Sequence, residues 1–414
     1  MRPTDDGARG DAAADAAALP VIDLTAPDWW AEPAVVTAPM LAAGAVAAEV
    51  PSFGTVMFLR FDDCLASLNS PDLLAMEARY FELQGWTDGA FVDWIRRNVV
   101  MMNPPGHTRL RALVSRAFTP RAVAGMEAVA QSVADELCDA VDDAGGAVEF
   151  VGDWARLLPL RVICEMIGIP RVDTDQMGEW AHGLSVASGM ADPDARRVGD
   201  EAMASFNGYV GEMIAERRTH RTDDLLSALI DAEEAGDRLS PAELVALVVQ
   251  LIFAGHETTQ NLLGNGLYRL LEHPEQLAWL RAEPDRVPDA VEEMLRYDPP
   301  ILFTSRVARR DLTIAGVDVA ADQLVMLNLT AANHDPAHVD EPARFDITRT
   351  DVRHLSFGHG VHFCLGASLA RLEARIAFTT LLARYGTITE TGGSDWTTFT
   401  PLRGRQRLDL LLRP

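Results

Sequence analysis

Cysteine is scarce. Cys64, Cys138, Cys164 and Cys364 are scattered over 414 residues with no CxxC spacing, which excludes a disulfide framework and a zinc ribbon and leaves reduced thiols as the expectation. Long apolar runs are missing too. The longest, Leu244 to Ala254, is broken by Gln250 and is far too short to span a bilayer, so no membrane span is expected. The first residues, MRPTDDGARGDAAADAAALP, lack the basic end and apolar block of a secretion signal. Residues 1–20 therefore read as a disordered acidic, alanine-rich tail, and the protein as cytoplasmic. Positive charge is in short supply: the formal net charge of -25 favours solubility and disfavours nucleic acid, whose phosphates it would repel. Lysine is absent altogether, all 36 basic residues being arginine. That is a bias of composition, and it makes the placement of the arginines informative.

What remains is a soluble, globular composition, 48% hydrophobic with mean hydropathy near zero. The length exceeds the roughly 250–300 residues at which one core usually splits, so size alone predicts more than one subregion. Thr55 to Phe61 has strand character, with Asp62 or Asp63 as a cap for the short helix after it, and predicts an N-terminal β subregion. After the breaker Asn103-Pro104-Pro105-Gly106, Leu110, Leu113, Val114 and Phe118 form the stripe of an amphipathic helix whose other face carries His107 and Arg111. Those two cations can grip carboxylates of a ligand or simply sit in water. Helical patterns continue through Val123 to Val141, Trp154 to Ile167 and Met203 to Arg217.

Two stretches carry chemistry. FGHGVHFCLG, Phe357 to Gly366, places Cys364 in a glycine-rich turn before the helical pattern Ala367 to Arg384. A thiolate is a strong soft ligand, Gly358, Gly360 and Gly366 let backbone N–H groups approach the sulfur, and a helix N-terminus favours negative charge. The same segment also supports a zinc cluster of His354, His359, His362 and Cys364, or a buried free cysteine on a tight loop. The second stretch begins at Ser240-Pro241-Ala242-Glu243, a capping box with proline at the first helical position, and predicts a helix from Pro241 to about Glu272, roughly 48 Å long. In its middle AGHETT, Ala254 to Thr259, breaks local propensity, predicting a kinked or widened turn at Gly255 with Glu257 and Thr258 beside it as a proton relay. Farther on, Glu293 and Arg296 stand at i, i+3 in the helix Pro288 to Tyr297; alone, such a pair means little.

Taken together, FGHGVHFCLG, AGHETT, Glu293 with Arg296, and NPPGHTRLR (Asn103 to Arg111) strongly resemble the motifs of the soluble bacterial cytochromes P450, and the resemblance spans most of the chain. It implies a mainly α haem-domain fold with a smaller β-rich region, one domain over residues 21–414, in which the long helix crosses the distal face of haem b (iron protoporphyrin IX). It implies that Cys364 ligates the haem iron and that His107, Arg111, Arg306 and His362 hold the propionates. Ala254, Gly255, Phe357, Gly358 and Gly366 would line the cofactor, and Arg349 would join Glu293 and Arg296 in a buried ion network behind the cysteine loop. The implied activity is a monooxygenase: Glu257 and Thr258 deliver protons, O2 is the oxidant, and electrons come from a ferredoxin and its reductase. A haem carrier or sensor, an auxiliary family member and a peroxide-driven enzyme are the alternatives, against which the Glu257–Thr258 pair argues. By position in the family the substrate pocket would be lined by Trp86 to Val100, Met177 to Met190, Val249, Phe253, Ala254, Ile301 to Thr304 and Trp396 to Phe399, implying a largely hydrophobic small molecule. Arg109, Arg116, Arg353, Arg371 and Arg375 are expected to form a basic patch for the electron donor.

Overall fold

The computed structural model describes residues 18–189, 194–234, 239–392 and 395–414; residues 1–17 of the expected tail lie outside it. The helices that matter for the site are α1 (Phe61–Leu68), α2 (Ala90–Ile95), α3 (Gly106–Ala117), α4 (Glu127–Asp143), α5 (Leu157–Ile167), α6 (Thr174–Ser188), α7 (Ala195–Thr219), α8 (Pro241–Glu272), α9 (Val287–Tyr297) and α10 (Ala367–Arg384). Helix α8 has the expected bounds, and its start is locally encoded. Ser240 Oγ accepts the Glu243 N–H at 3.2 Å and the Glu243 carboxylate accepts the Ser240 N–H at 2.8 Å. Most apolar residues along α8 are buried, against α5 on one side and α9 and α10 on another, so the helix is the axle of the largest hydrophobic core.

The β-rich part is assembled from distant pieces. Strands β1 (Ala47–Val50), β2 (Thr55–Phe58), β3 (Leu73–Leu74), β5 (Phe303–Ala308) and β8 (Leu324–Asn328) form one sheet in the order β1-β2-β8-β5-β3, with β2 parallel to β8. Strands β4 (Ala147–Glu149), β9 (Thr387–Glu390) and β10 (Asp409–Arg413) form a second sheet, and β6 (Leu312–Ile314) with β7 (Val317–Val319) a hairpin. The expected N-terminal β subregion is thus a sheet whose centre comes from the last third of the chain. Two apolar clusters cover this sheet, separate from the core around α8. The cap of α1 also differs from expectation. The helix starts at Phe61, which places Asp62 and Asp63 inside the first turn, and the Phe61 N–H is satisfied by Asp335 Oδ2 at 2.9 Å. An acid from far along the chain does the work assigned to a neighbour.

Candidate functional site

Cys364 differs from the other three cysteines in being only half-buried; Cys64, Cys138 and Cys164 are sealed in the core. Its own N–H donates to Phe357 O at 2.9 Å, which closes the loop into a tight turn. Gly358 and Gly360 take φ of +65° and +69°, and a Cβ on Gly360 would lie 2.8 Å from Leu68 O, so the turn and its close approach to the end of α1 both require glycine. Burial raises the Cys364 thiol above its ordinary value, opposed by the N–H groups of Gly366 and Ala367 at the start of α10 and by the charges of Arg111 and Arg371. The sulfur therefore faces donors and cations, the surroundings that stabilise a thiolate once a metal replaces the proton.

The zinc reading fails here. His354 Nε2 pairs with Glu292 at 3.2 Å, His359 Nδ1 with Asn69 Oδ1 at 2.9 Å, and His362 packs on the His107 ring. The three histidines diverge, and among the described residues no three metal-ligating side chains converge.

A cavity of about 400 Å³ opens beside the sulfur, within the range of sites for a prosthetic group or small molecule. Its wall includes Arg111, Ala254, Gly255, Glu257, Thr258, Arg306, Phe357, Gly358, His362, Cys364 and Gly366, brought together from α3, α8, β5 and the cysteine loop. At one edge the cations gather. His107 packs against His362 with the rings tilted and their centroids 4.2 Å apart, and Arg111 donates to Phe363 O. Arg306, nearly buried, donates to Thr304 Oγ1 and Ser305 O. Among the described residues neither arginine has a carboxylate partner, and the buried His107 Nδ1 has no hydrogen-bond partner at all. Burial, reinforced by His107, Arg306 and Arg111, pulls His362 down to about 3, and burial pulls Arg306 down to about 10. With both histidines held neutral, the two arginine charges left without a counter-charge at this edge are costly, and an anionic ligand relieves that cost.

Across the cavity stands the middle of α8. The turn is not widened into a π-helix: Ala254 to Thr259 stay α-helical, and Thr258 Oγ1 donates to Ala254 O at 3.0 Å, which accommodates the hydroxyl within the helix. Glu257 accepts from Ser185 Oγ of α6 at 3.0 Å through Oε1, while its Oε2 is buried without a partner. Burial raises this carboxyl to about 7, opposed only by the Ser185 bond. It can hold and release a proton near neutral pH.

Residues 184–407 match the sequence profile described as Cytochrome P450. The chain is 40% identical over 337 residues (79% of this chain, 82% of the relative) to cytochrome P450 CYP107DY1 of Priestia megaterium. It is 34% identical to the polyketide biosynthesis cytochrome P450 PksS of Bacillus subtilis, covering 88% of this chain and 91% of that one. This chain belongs to the cytochrome P450 family. Its fold matches that of P450BioI, solved with an acyl carrier protein bearing hexadec-9Z-enoic acid, with a TM-score of 0.87 and 33% identity over 93% of this chain and all of the other. It is a P450 monooxygenase of the bacterial type, a family built on a haem bound through a thiolate. The residues present fit that group: a half-buried thiol among N–H donors, and a nearby edge of uncompensated cations with an orphaned His107 Nδ1, suited to carboxylates.

Behind the cysteine loop of this P450, Glu293 and Arg296 are completely buried and joined by two bonds of 2.7 Å. Arg296 also donates to Asn333 O, Pro342 O and Arg344 O, and Arg349 Nε stands 3.5 Å from Glu293 Oε1 in an ion pair without a hydrogen bond. Three of the five arginines expected in the basic patch are paired with acids. Arg109 pairs with Glu243, Arg371 with Glu292 and Arg375 with Glu127, because acids on α8, α9 and α4 lie within reach; Val361 and Phe363 are instead exposed at the loop tip.

The expected pocket lining is corrected in part. Val99, Val100, Phe253, Ala254, Ile301 and Thr304 line the cavity, whereas Val249 is buried elsewhere on α8 and Leu402 takes the place of Trp396 to Phe399. None of the residues from Met177 to Gly189 lines it, and Met190 lies outside the described residues. Sequence reasoning missed Glu373 of α10, a fully buried acid on the cavity wall whose carboxyl burial pushes well above the usual range. The available signal was an acid four residues after Leu369 on the apolar stripe of α10.

Proposed function

We propose that this P450 binds iron protoporphyrin IX through Cys364 and uses O2 and two electrons, supplied by a ferredoxin and its reductase, to hydroxylate a largely hydrophobic small organic molecule. The observation that carries this reading is the union, around one cavity, of the half-buried Cys364 with Arg111, Arg306, His362 and Glu257. Arg111, Arg306, His107 and His362 would hold the propionates, supported by the unpaired His107 Nδ1 and by arginines without acids. Ala254, Gly255, Phe357, Gly358 and Gly366 would form the walls against the ring. When bound, a thiolate-ligated haem supplies oxygen activation, since the ligand pushes electron density that favours O–O cleavage.

The chain's own residues supply protons and exclusion. Glu257, raised to about 7, holds a proton on the cavity wall, and the Thr258 hydroxyl on the same wall would pass it on. That pair supports oxygen-driven chemistry over a peroxide-driven enzyme or a passive haem carrier. The apolar walls formed by Val99, Val100, Leu247, Leu251, Phe253 and Ile301 support a hydrophobic substrate, as do relatives named a vitamin D(3) 25-hydroxylase and a polyketide biosynthesis P450. The haem-binding unit is taken as residues 21–414, acting in the cytoplasm in keeping with four unpaired cysteines. Among the described residues, no helix is long and apolar enough to cross a membrane.

The test is the spectrum of the reduced, carbon monoxide-bound protein, whose main band lies far to the red when the ligand is a thiolate. Cys364→Ser is expected to abolish both that band and oxygenation of any substrate. A serine variant that keeps the band would refute Cys364 as ligand.

A further inference from the structure

Gln250 is the residue that breaks the longest apolar run of the sequence, and its purpose is visible in the cavity. It is 6% exposed, lies one turn before Ala254 on α8, and is the sole amide among the described residues that line the cavity. The wall of the same cavity includes Val99, Val100, Val114, Leu247 and Leu251. A buried amide in such a wall costs free energy unless its groups are bonded, so each atom must be accounted for.

Asn98, 3% exposed in the segment after α2, decides the orientation. Its Oδ1 accepts the Val100 N–H at 2.9 Å, which leaves Nδ2 as the group that faces Gln250 and donates to Gln250 Oε1. The Asn98 main-chain oxygen takes the N–H groups of Met101 and Met102, so the residue is fixed on all sides. With Oε1 consumed, Gln250 is left with Nε2, a donor of two hydrogens. That atom has no acceptor among the described residues, yet it is not sealed away as the orphaned His107 Nδ1 is; it opens onto the cavity that Gln250 lines.

We propose that Gln250 Nε2 is the substrate anchor of this P450, and that its substrates carry an uncharged hydrogen-bond acceptor, a ketone, lactone or ester oxygen, on an otherwise apolar skeleton. Asn98 is the positioning residue that turns the donor toward the cavity. The anchor lies seven residues before Glu257, about 10 Å along the helix axis, so the acceptor is held roughly two turns from the proton-delivering side chains. This rests on the monooxygenase reading and refines its substrate class.

The experiment uses the haem-loaded protein and three rigid probes of one shape, adamantane, 2-adamantanone and 2-adamantanol, with affinities read by equilibrium dialysis. Gln250→Leu is expected to weaken adamantanone about tenfold, one buried hydrogen bond, and to leave adamantane within about twofold. Asn98→Asp gives the sharper reading. A carboxylate there keeps the Val100 bond but offers Gln250 only an acceptor, so the amide turns over and presents Oε1. The ketone then loses affinity while the alcohol, a donor, gains on it by about tenfold. The inference is overturned if the wild-type protein does not hold the ketone, if Gln250→Leu weakens ketone and hydrocarbon alike, or if Asn98→Asp leaves the ketone-to-alcohol ratio unchanged. It is equally overturned if Gln250→Leu lowers haem retention without touching the ketone, since the amide then serves the cofactor. Failure of the monooxygenase reading is seen separately, as absence of the red-shifted carbon monoxide band in the same preparation.

Discussion

A carboxyl that titrates near neutral pH is a liability for stability and an asset for proton transfer, and Glu257 is both. Burial lifts it from an ordinary 4.5 to about 7. The native state therefore keeps a proton that the unfolded chain has already lost. The stability this contributes is complete below about pH 4.5 and lost as the pH climbs through about 7, a change on the order of 3 kcal/mol. The same proton serves catalysis, so the fraction of reductant that ends in product is expected to fall as pH rises through about 7. Glu257→Gln should lower that fraction about tenfold and flatten its dependence on pH, the lost electrons appearing as peroxide. A profile for the variant with the same inflection would assign the titration to another group. Charge and hydroxyl at these two positions were legible in the sequence because AGHETT breaks a strong apolar pattern. The bond from Ser185 was not, since nothing in the spacing of α6 announces which of its residues faces Glu257.

Elements with encoded ends were the most legible. Helix α8 begins at a capping box and α10 at the glycine of the cysteine loop, and both have the bounds expected of them. Elements completed by a partner far away were not: the cap of α1 comes from Asp335, and three of the arginines expected to stand free are claimed by acids of other helices. The ion network behind the cysteine loop lies between these extremes. Its i, i+3 spacing is visible, but its meaning comes from the three carbonyls that Arg296 gathers from the segment 333–344. A lysine keeps the charge and loses the planar fork, leaving Glu293 and those carbonyls poorly matched in a fully buried site. Arg296→Lys should cost about 3 kcal/mol in denaturant unfolding and release haem more readily, with activity per bound haem little changed. Unaltered unfolding would show that the network is dispensable.

On the scale of the molecule, the formal charge is -25, and Arg109, Arg371 and Arg375 on the surface around the cysteine loop are paired with acids. What projects there is apolar, with Val361 59% and Phe363 42% exposed beside Cys364, so the electron donor is expected to seat on that tip and to depend only weakly on salt. Val361→Asp should slow reduction of the haem about tenfold while affinity for substrate stays as it was. Equal reduction rates would move the docking face elsewhere.

The parallel pairing of β2 with β8 has a consequence in time. Thr55 and Leu324 bond across a sequence separation of 269, so the centre of the main sheet cannot exist until most of the chain has left the ribosome. At about 5–20 residues per second that is a wait of tens of seconds, during which β1 and β2 stand as an open hairpin with unpaired edges. A nascent chain of this protein is thus most exposed to aggregation and to chaperones through its first sixty residues, and a truncation before residue 324 leaves that hairpin permanently without its partner.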